Sequence, residues 1–429
     1  MENQTPKTGK LFTSYEIFVI AILAILQFTI ILDFMVLSPL GAFLLTELSI
    51  STKQFGWVVS GYAFSAGVSG ILTAGFADKY DRKKLLLFFY VGFLGGTMLC
   101  AVAKTYEFLL MARIVTGIFG GVIGSIGFAI ITDLFRMEVR GRVMGFVQMA
   151  FASSQVLGLP IGLYLANRYG WNSPFFMIVG VGVFIGIAII VYLKPIDEHL
   201  KVKSERNALV HLGKTISNPL YLKAFAATIL LATGGFMLMP FGSTFSINNL
   251  KLTFDQLPLL YMITGVCSMI AGPLIGKYAD TIGKYTVFVA GSVLGMIIVG
   301  IYGNLGVTEL WIVIILNVFL FIGISSRMIT AGALMSAIPD LKDRGAFMSI
   351  NSSIQQISGG VAAAVAGLIV VQSPTGQLQR YDLLCYVVVL TMAITVFMMY
   401  FLNRYVTSKP APGPPAAKPT VSVVEDSVS

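Results

Sequence analysis

The chain has 429 residues, 56% of them apolar and only 11% charged, against about 25% charged in an average soluble domain. A water-soluble surface cannot be built from that inventory, so the composition excludes a soluble enzyme and points to an integral membrane protein. The net charge of +9 sits in the segments between apolar runs and reads as a topology signal rather than a nucleic-acid-binding face.

Runs of about 20 apolar residues are long enough to cross roughly 30 Å of hydrocarbon as helices. They predict twelve spans, at 17–44, 55–76, 85–103, 108–132, 143–166, 173–193, 221–247, 258–277, 285–305, 309–337, 345–371 and 382–404. A β-barrel would need shorter segments alternating apolar and polar residues, whereas 175–193 is apolar on every side. The first stretch is too long for a cleaved signal peptide and reads as a retained span. The longest hydrophilic interruption, 194–220, separates a six-helix bundle at 1–193 from a second at 221–405. After it comes a proline-rich tail, 406–429, expected to be disordered. The fold class is thus an all-α membrane protein of twelve transmembrane helices in two pseudo-symmetric halves.

An internal repeat supports the division. Pro-Leu-Gly at 39–41 returns as Pro-Phe-Gly at 240–242, Ala-Asp at 77–78 as 279–280, and Arg-Gly-x-x-Met at 140–144 as 344–348, at offsets of 201, 202 and 204 residues. Two parallel repeats of membrane helices around a central site imply a secondary transporter. If the amino terminus is cytoplasmic, the inside segments hold Lys7, Lys10, Lys79, Arg82, Lys83, Lys84, Arg136, Arg140, Arg142, the linker cluster and Lys277, Lys284, Lys342 and Arg344. The outside loops then hold only Lys53, Lys104, Arg168, Lys251 and Arg380. That asymmetry puts both termini in the cytoplasm, in a cell membrane that would be the inner membrane of a bacterium.

Three ionisable residues fall well inside predicted spans: Asp33, Arg113 and Arg327. Each costs at least about 2.5–3.5 kcal/mol at mid-bilayer and should face a partner or a watery cavity. The repeat sets Asp33 opposite Gly234, so these charges have no counterparts in the other half. Two readings of Asp33 and Arg113 stand. Either they form a permanent ion pair fixing two helices, or Asp33 gains and loses a proton as its surroundings alternate, burial and a nearby arginine pulling in opposite directions. Arg327 either binds an anionic group of a substrate or pairs with main-chain carbonyls. The uncharged residues Gln27, Gln148, Gln155, Asn351, Gln355 and Gln356 add a candidate substrate lining; interhelical hydrogen bonding is the alternative for each. Glycines four apart, such as Gly117 with Gly121 and Gly291 with Gly295, serve either fixed packing or sliding faces.

ADKYDRKK at 77–84 resembles the loop signature of the major facilitator superfamily, G-x-x-x-D-R-x-G-R-[KR], and GKYADTIGK at 276–284 matches its first part more closely. Arg113 with Gly117, Gly120 and Gly121 resembles the superfamily's helix 4 arginine motif. The run Gly158, Leu159, Pro160, Ile161, Gly162 is a loose version of the helix 5 glycine-proline motif associated with antiporters. The resemblance implies the major facilitator fold, in the twelve-span drug:proton antiporter or arabinose-efflux-like branch. Asp78 and Asp280 can, by the repeat, approach the start of a helix in the opposite half near Arg344 and Arg140. The resemblance implies that Asp78, Arg82 and Asp280 act there in cytoplasmic gating.

No phosphate-binding G-x-x-x-x-G-K-[ST] loop is present, so ATP is not the expected fuel. The only histidines, His199 and His211, lack metal-ligand partners at suitable spacing, and neither an enzyme nor a cofactor is expected. The leading expectation is a monomeric, proton-coupled exporter of small organic molecules working by alternating access. The alternatives are a proton symporter or facilitator for uptake and, of another class, a non-transporting membrane sensor or scaffold.

Overall fold

The structure, a computed structural model, describes residues 12–74, 76–197, 200, 213–340 and 343–408, without the side chains of Ala74, Asp78 and Glu138. His199, His211, Lys342, most of the linker and the tail beyond 408 lie outside the described residues. Twelve helices are long and apolar enough to span a membrane. In the first half they are α1 (Ser14–Val36), α2 (Thr52–Thr73), α3 (Arg82–Val102), α4 (Tyr106–Leu134), α5 (Val139–Tyr169) and α6 (Ser173–Tyr192). In the second they are α7 (Pro219–Asn248), α8 (Phe254–Ile282), α9 (Lys284–Tyr302), α10 (Leu310–Ala337), α11 (Arg344–Ile369) and α12 (Tyr381–Ser408).

Helix is the only open form in which a chain satisfies its own backbone in lipid, and polar residues mark where each helix starts. Thr13 and Glu16 form a reciprocal capping box on α1, Asp81 accepts from Lys84 N at 3.1 Å to cap α3, and Asn218 with Pro219 opens α7. α1 ends earlier than its apolar run predicts. The helix stops at Val36 and the chain turns through Pro39 into a short helix, Gly41–Glu47; in α7 the corresponding break is a 3₁₀ turn at Met239–Phe241 around Pro240. Proline removes a main-chain donor and clashes with the preceding turn, so the repeated Pro-x-Gly is a helix break in both halves.

The two breaks meet. Ser38 Oγ donates to Met239 O, and Ser243 Oγ donates to Ser38 O at 3.0 Å. This clasp lies at the loop end of the bundle, opposite the end where α1 begins and α12 finishes. A hairpin of Val371–Gln372 with Leu378–Gln379 covers the same end and is held by Asn249, which both donates to Leu378 O and accepts from Leu378 N at 2.9 Å.

Two side seams join the halves. Along α2 and α11 the backbones touch: Thr52 Oγ1 donates to Val370 O and Ser60 Oγ to Gly360 O, each at 2.7 Å. A Cβ at Gly56 would stand 2.9 Å from Ala363 O, and one at Gly67 2.9 Å from Ser353 O. Only small residues permit such an approach in lipid. The α5–α8 seam is shorter. There a π turn at Ser154–Gly158, where Pro160 interrupts the ladder, sets Gln155 against Gly265, and Asn167 Nδ2 donates to Phe254 O at 2.9 Å. The hydrogen bonds of Ser38, Thr52, Asn167 and Ser243 clasp the halves at the loop end, and the α2–α11 approach continues through Ser60 and Gly67 to Gly70, where a Cβ would stand 2.9 Å from Ser353 Oγ.

Candidate functional site

Asp33 lies on the stripe of α1 that carries Val19, Leu23, Leu26 and Ile30, at helical spacing and fully buried inside the first half. Arg113 takes the matching place on α4 beside Leu109, Ala112 and Thr116. The two meet at 2.8 Å between Nη1 and Oδ2, with side-chain exposures of 1% and 0%. Arg113 Nη1 also reaches Asp33 O at 3.4 Å, and Thr97 of α3 donates its hydroxyl to Asp33 Oδ1 at 3.1 Å. The guanidinium stacks over Tyr62 of α2, 4.5 Å from the ring centroid, while its Nε has no partner. Three helices of one half thus converge on one carboxylate. From this pair a line of rings leads to the other half: Tyr62 lies 5.3 Å from Phe34, and Phe34 5.8 Å from Phe236 of α7.

Arg327 is set differently. It lies on the buried stripe of α10 with Leu320, Gly323 and Thr330 and is 3% exposed. No acid stands within ion-pair distance of it among the described residues, and Nε and Nη2 find no hydrogen-bond partner. Neither main-chain carbonyls nor an acid therefore accounts for it. Phe288 of α9 faces the guanidinium carbon at 5.7 Å, and Nη1 is 3.9 Å from where a Cβ would stand on Gly234.

The other candidates are dispersed. Gln27 faces Gly124 of α4, Gln148 is exposed on α5, and Gln155 is buried in the α5–α8 seam, so the last two do not form one surface. Asn351 Oδ1 accepts from Thr228 at 2.6 Å; Gln355 and Gln356, one turn on along α11, are half-buried. Gly158 and Gly162 seat α5 on Leu32 and Val36 of α1, and Gly117, Gly121 and Gly291 likewise pack within their own halves. Fixed packing describes these glycines; the faces that join the halves carry a different set.

At the terminal end three gating candidates, Arg82, Arg140 and Arg344, bond to groups of their own halves. Arg82 pairs with Asp133 at 3.0 Å and donates to Ala77 O; Arg140 donates to Phe135 O and Thr132 O, and Arg344 to Ser336 O. Asp280 is exposed, and the Asp78 side chain lies outside the description. Asp133, Thr97 and Tyr62 are partners that sequence reasoning missed. The first two carry no signal beyond being polar near a helix end or within a span. A groove of about 770 Å³ lies along α1 and α5, but it is lined by apolar residues such as Ile17, Ala21, Phe28 and Phe146, on the face of α1 turned away from Asp33. Among the described residues no group of three His, Cys, Asp or Glu is placed to hold a metal.

The Major Facilitator Superfamily sequence model matches residues 23–245 and 224–425, two matches that overlap within α7 and together cover both halves. The "Uncharacterized MFS-type transporter YceJ" of Bacillus subtilis (strain 168) is 27% identical over 272 residues, covering 62% of this chain and 68% of that one. The "Probable sugar efflux transporter" of Helicobacter pylori (strain G27) is 24% identical over 300 residues, covering 68% and 74%. In fold, the crystal structure of a D-xylose-proton symporter matches 92% of this chain and 100% of its own with a TM-score of 0.75 at 15% identity. Twelve apolar helices in two repeated halves, a clasp made by the repeat itself and family matches that together cover both halves lead to one conclusion: the chain belongs to the Major Facilitator Superfamily and is a multi-pass secondary transporter, not an enzyme.

Proposed function

We propose that the protein exports small organic molecules in exchange for protons, with Asp33 as the proton-carrying group and Arg113 as its counter-ion. The observation that carries this reading is the sealed Asp33–Arg113 contact in a half whose repeat has no acid at the matching position. A carboxylate kept in the membrane interior needs its arginine; protonated, it no longer does, and Arg113 is released to its ring partner Tyr62. The aromatic line through Phe34 to Phe236 then transmits that change to the second half. Exchange follows when the proton and the substrate favour opposite states of one bistable bundle.

The basic residues favour a cytoplasmic placement of the terminal end, so the clasped loop end would face outward. In the state closed at the terminal end, Asp280 and Asp78 would approach Arg140 and Arg344, with Arg82 holding the loop, and the halves would rock as rigid six-helix bodies joined by the 194–220 linker. Gln27, Gln148, Asn351, Gln355 and Gln356 line the substrate path in this reading, and the Gly158, Pro160 and Gly162 turn sets where α5 bends. The name of the Helicobacter pylori relative favours efflux.

The test is reconstitution of the full chain in liposomes with a pH-sensitive dye inside, screening amphiphilic drugs, sugars and organic anions, with Asp33→Asn alongside. Proton movement that appears with one class and vanishes in the variant supports the reading. Proton movement that persists in Asp33→Asn makes the pair a fixed fastening of α1, α3 and α4, a reading that its complete burial also favours. Substrate and proton moving in the same direction would replace exchange by symport.

A further inference from the structure

Gly234 lies where the repeat puts the counterpart of Asp33, and in space it lies against Arg327. The offset of 201 residues that carries Pro39 onto Pro240 carries Asp33 onto Gly234. An ideal Cβ there would meet Arg327 Nη1 at 3.9 Å, Thr391 Oγ1 at 3.7 Å and Met392 Cγ at 3.7 Å, ordinary contact distances without a clash. On the next residue, Gly235, a Cβ would meet nothing within 4 Å, so the chain beside the slot borders open space. The first half fills the corresponding position with a carboxylate bonded to Arg113; in the second that position is a glycine, and Arg327, which the repeat sets near Ile123 rather than at Arg113, reaches it from a different level of α10. A guanidinium that is 3% exposed, with two nitrogens unpartnered, is a costly group to keep in a membrane interior.

We propose that Arg327 is the receptor for a carboxylate of the transported molecule, which enters past Gly235 and lies over Gly234 in the place that the Asp33 side chain occupies in the first half. This rests on the transport reading above and narrows its substrate class to organic anions. Arginine suits the task because its planar fork donates two parallel bonds to a carboxylate. The absence of a side chain at Gly234 leaves a place for a Cβ at contact distance from Arg327. Thr391 Oγ1, which now donates to Val388 O at 2.8 Å, stands beside the slot as an additional polar atom. The face of Phe288, 5.7 Å from the guanidinium carbon, attracts the cation without competing for its donors.

The experiment uses the purified full chain in detergent and reads thermal stabilisation and Kd with acetate, benzoate, decanoate and succinate, beside benzamide as a neutral isostere and chloride and phosphate as inorganic anions. At least one carboxylate is expected to bind, with benzamide without effect and Arg327→Gln weakening Kd at least about tenfold. Gly234→Asp, which builds the missing carboxylate into the slot, is expected to abolish that binding and to raise the melting temperature. Gly234→Asn is expected to impair binding without raising it, which separates filling the slot from satisfying the charge. In the Arg327→Gln background Gly234→Asp is expected to lower the melting temperature, a readout that needs no ligand. An Arg327-dependent response to chloride or phosphate alone would overturn the substrate assignment. No Arg327-dependent response to any carboxylate, or a Gly234→Asp protein that still binds one, would overturn the proposal. Proton-coupled flux of neutral solutes with this site inert would overturn it while leaving the transport reading intact.

Discussion

The two halves share one scaffold and treat their buried charge in opposite ways. In the first, Asp33, Arg113 and Thr97 bind one another and three helices close around them. In the second, Arg327 is as deeply buried but has no acid among the described residues and lies beside a glycine. A duplicated fold supplies the same scaffold twice, but its arginines were placed at different levels, Arg113 matching Leu316 rather than Arg327, so the difference between the copies marks where the halves have separate tasks. A closed pair stores its electrostatic energy within the protein; an open one leaves it to be supplied by something that binds.

The comparison breaks most directly by making the first half resemble the second. Asp33→Ala leaves Arg113 buried and unpaired and is expected to cost about 3–5 kcal/mol in unfolding stability, with much of the loss recovered by adding Arg113→Met. A cost under about 1 kcal/mol in the same unfolding series would show that the pair fastens nothing. Thr97→Val removes the remaining hydrogen bond to the carboxylate and should cost about 1.5–3 kcal/mol, read in the same denaturation assay. The seam that holds the halves together offers the next test. Gly56→Leu forces side-chain atoms into Ala363 O and should cost about 1–3 kcal/mol and slow transport, whereas Gly145→Ala, where a Cβ meets nothing within 4 Å, should leave both unchanged. The smallest effect is expected at the terminal end. Asp133→Asn weakens a pair whose carboxylate side chain is 22% exposed, and a loss of at most about 1 kcal/mol should be found by thermal melting.

Much of the fold was legible because lipid imposes a simple rule: long apolar runs must be helices, and all twelve were found in the sequence. Their ends were less so. The run from 17 to 44 reads as one span, yet Pro39 stops α1 and folds the remainder into a short helix against the other half. The seam is also written in the sequence, where Thr52, Gly56, Ser60, Ala63, Gly67 and Gly70 repeat every three or four residues along α2. Glycine pairs elsewhere have the same spacing and pack within one half, so spacing identifies a close approach without naming the partner. At the candidate site, Asp33, Arg113 and Arg327 stood out because charge is rare in a span. Thr97 and Tyr62 did not, since a threonine or tyrosine in a helix signals nothing until its neighbours are known.

Composition, periodicity and the internal repeat determined by themselves that this is a membrane protein of twelve helices in two related halves, with three charges buried within it. These are properties of single helices in lipid, where burial of each backbone group is satisfied locally. Which charge met which was decided only by the tertiary structure, because side chains 80 residues apart, as in Asp33 and Arg113, come together through helix packing that no local pattern encodes. The same packing brought Arg327 to Gly234 and left the carboxylate out.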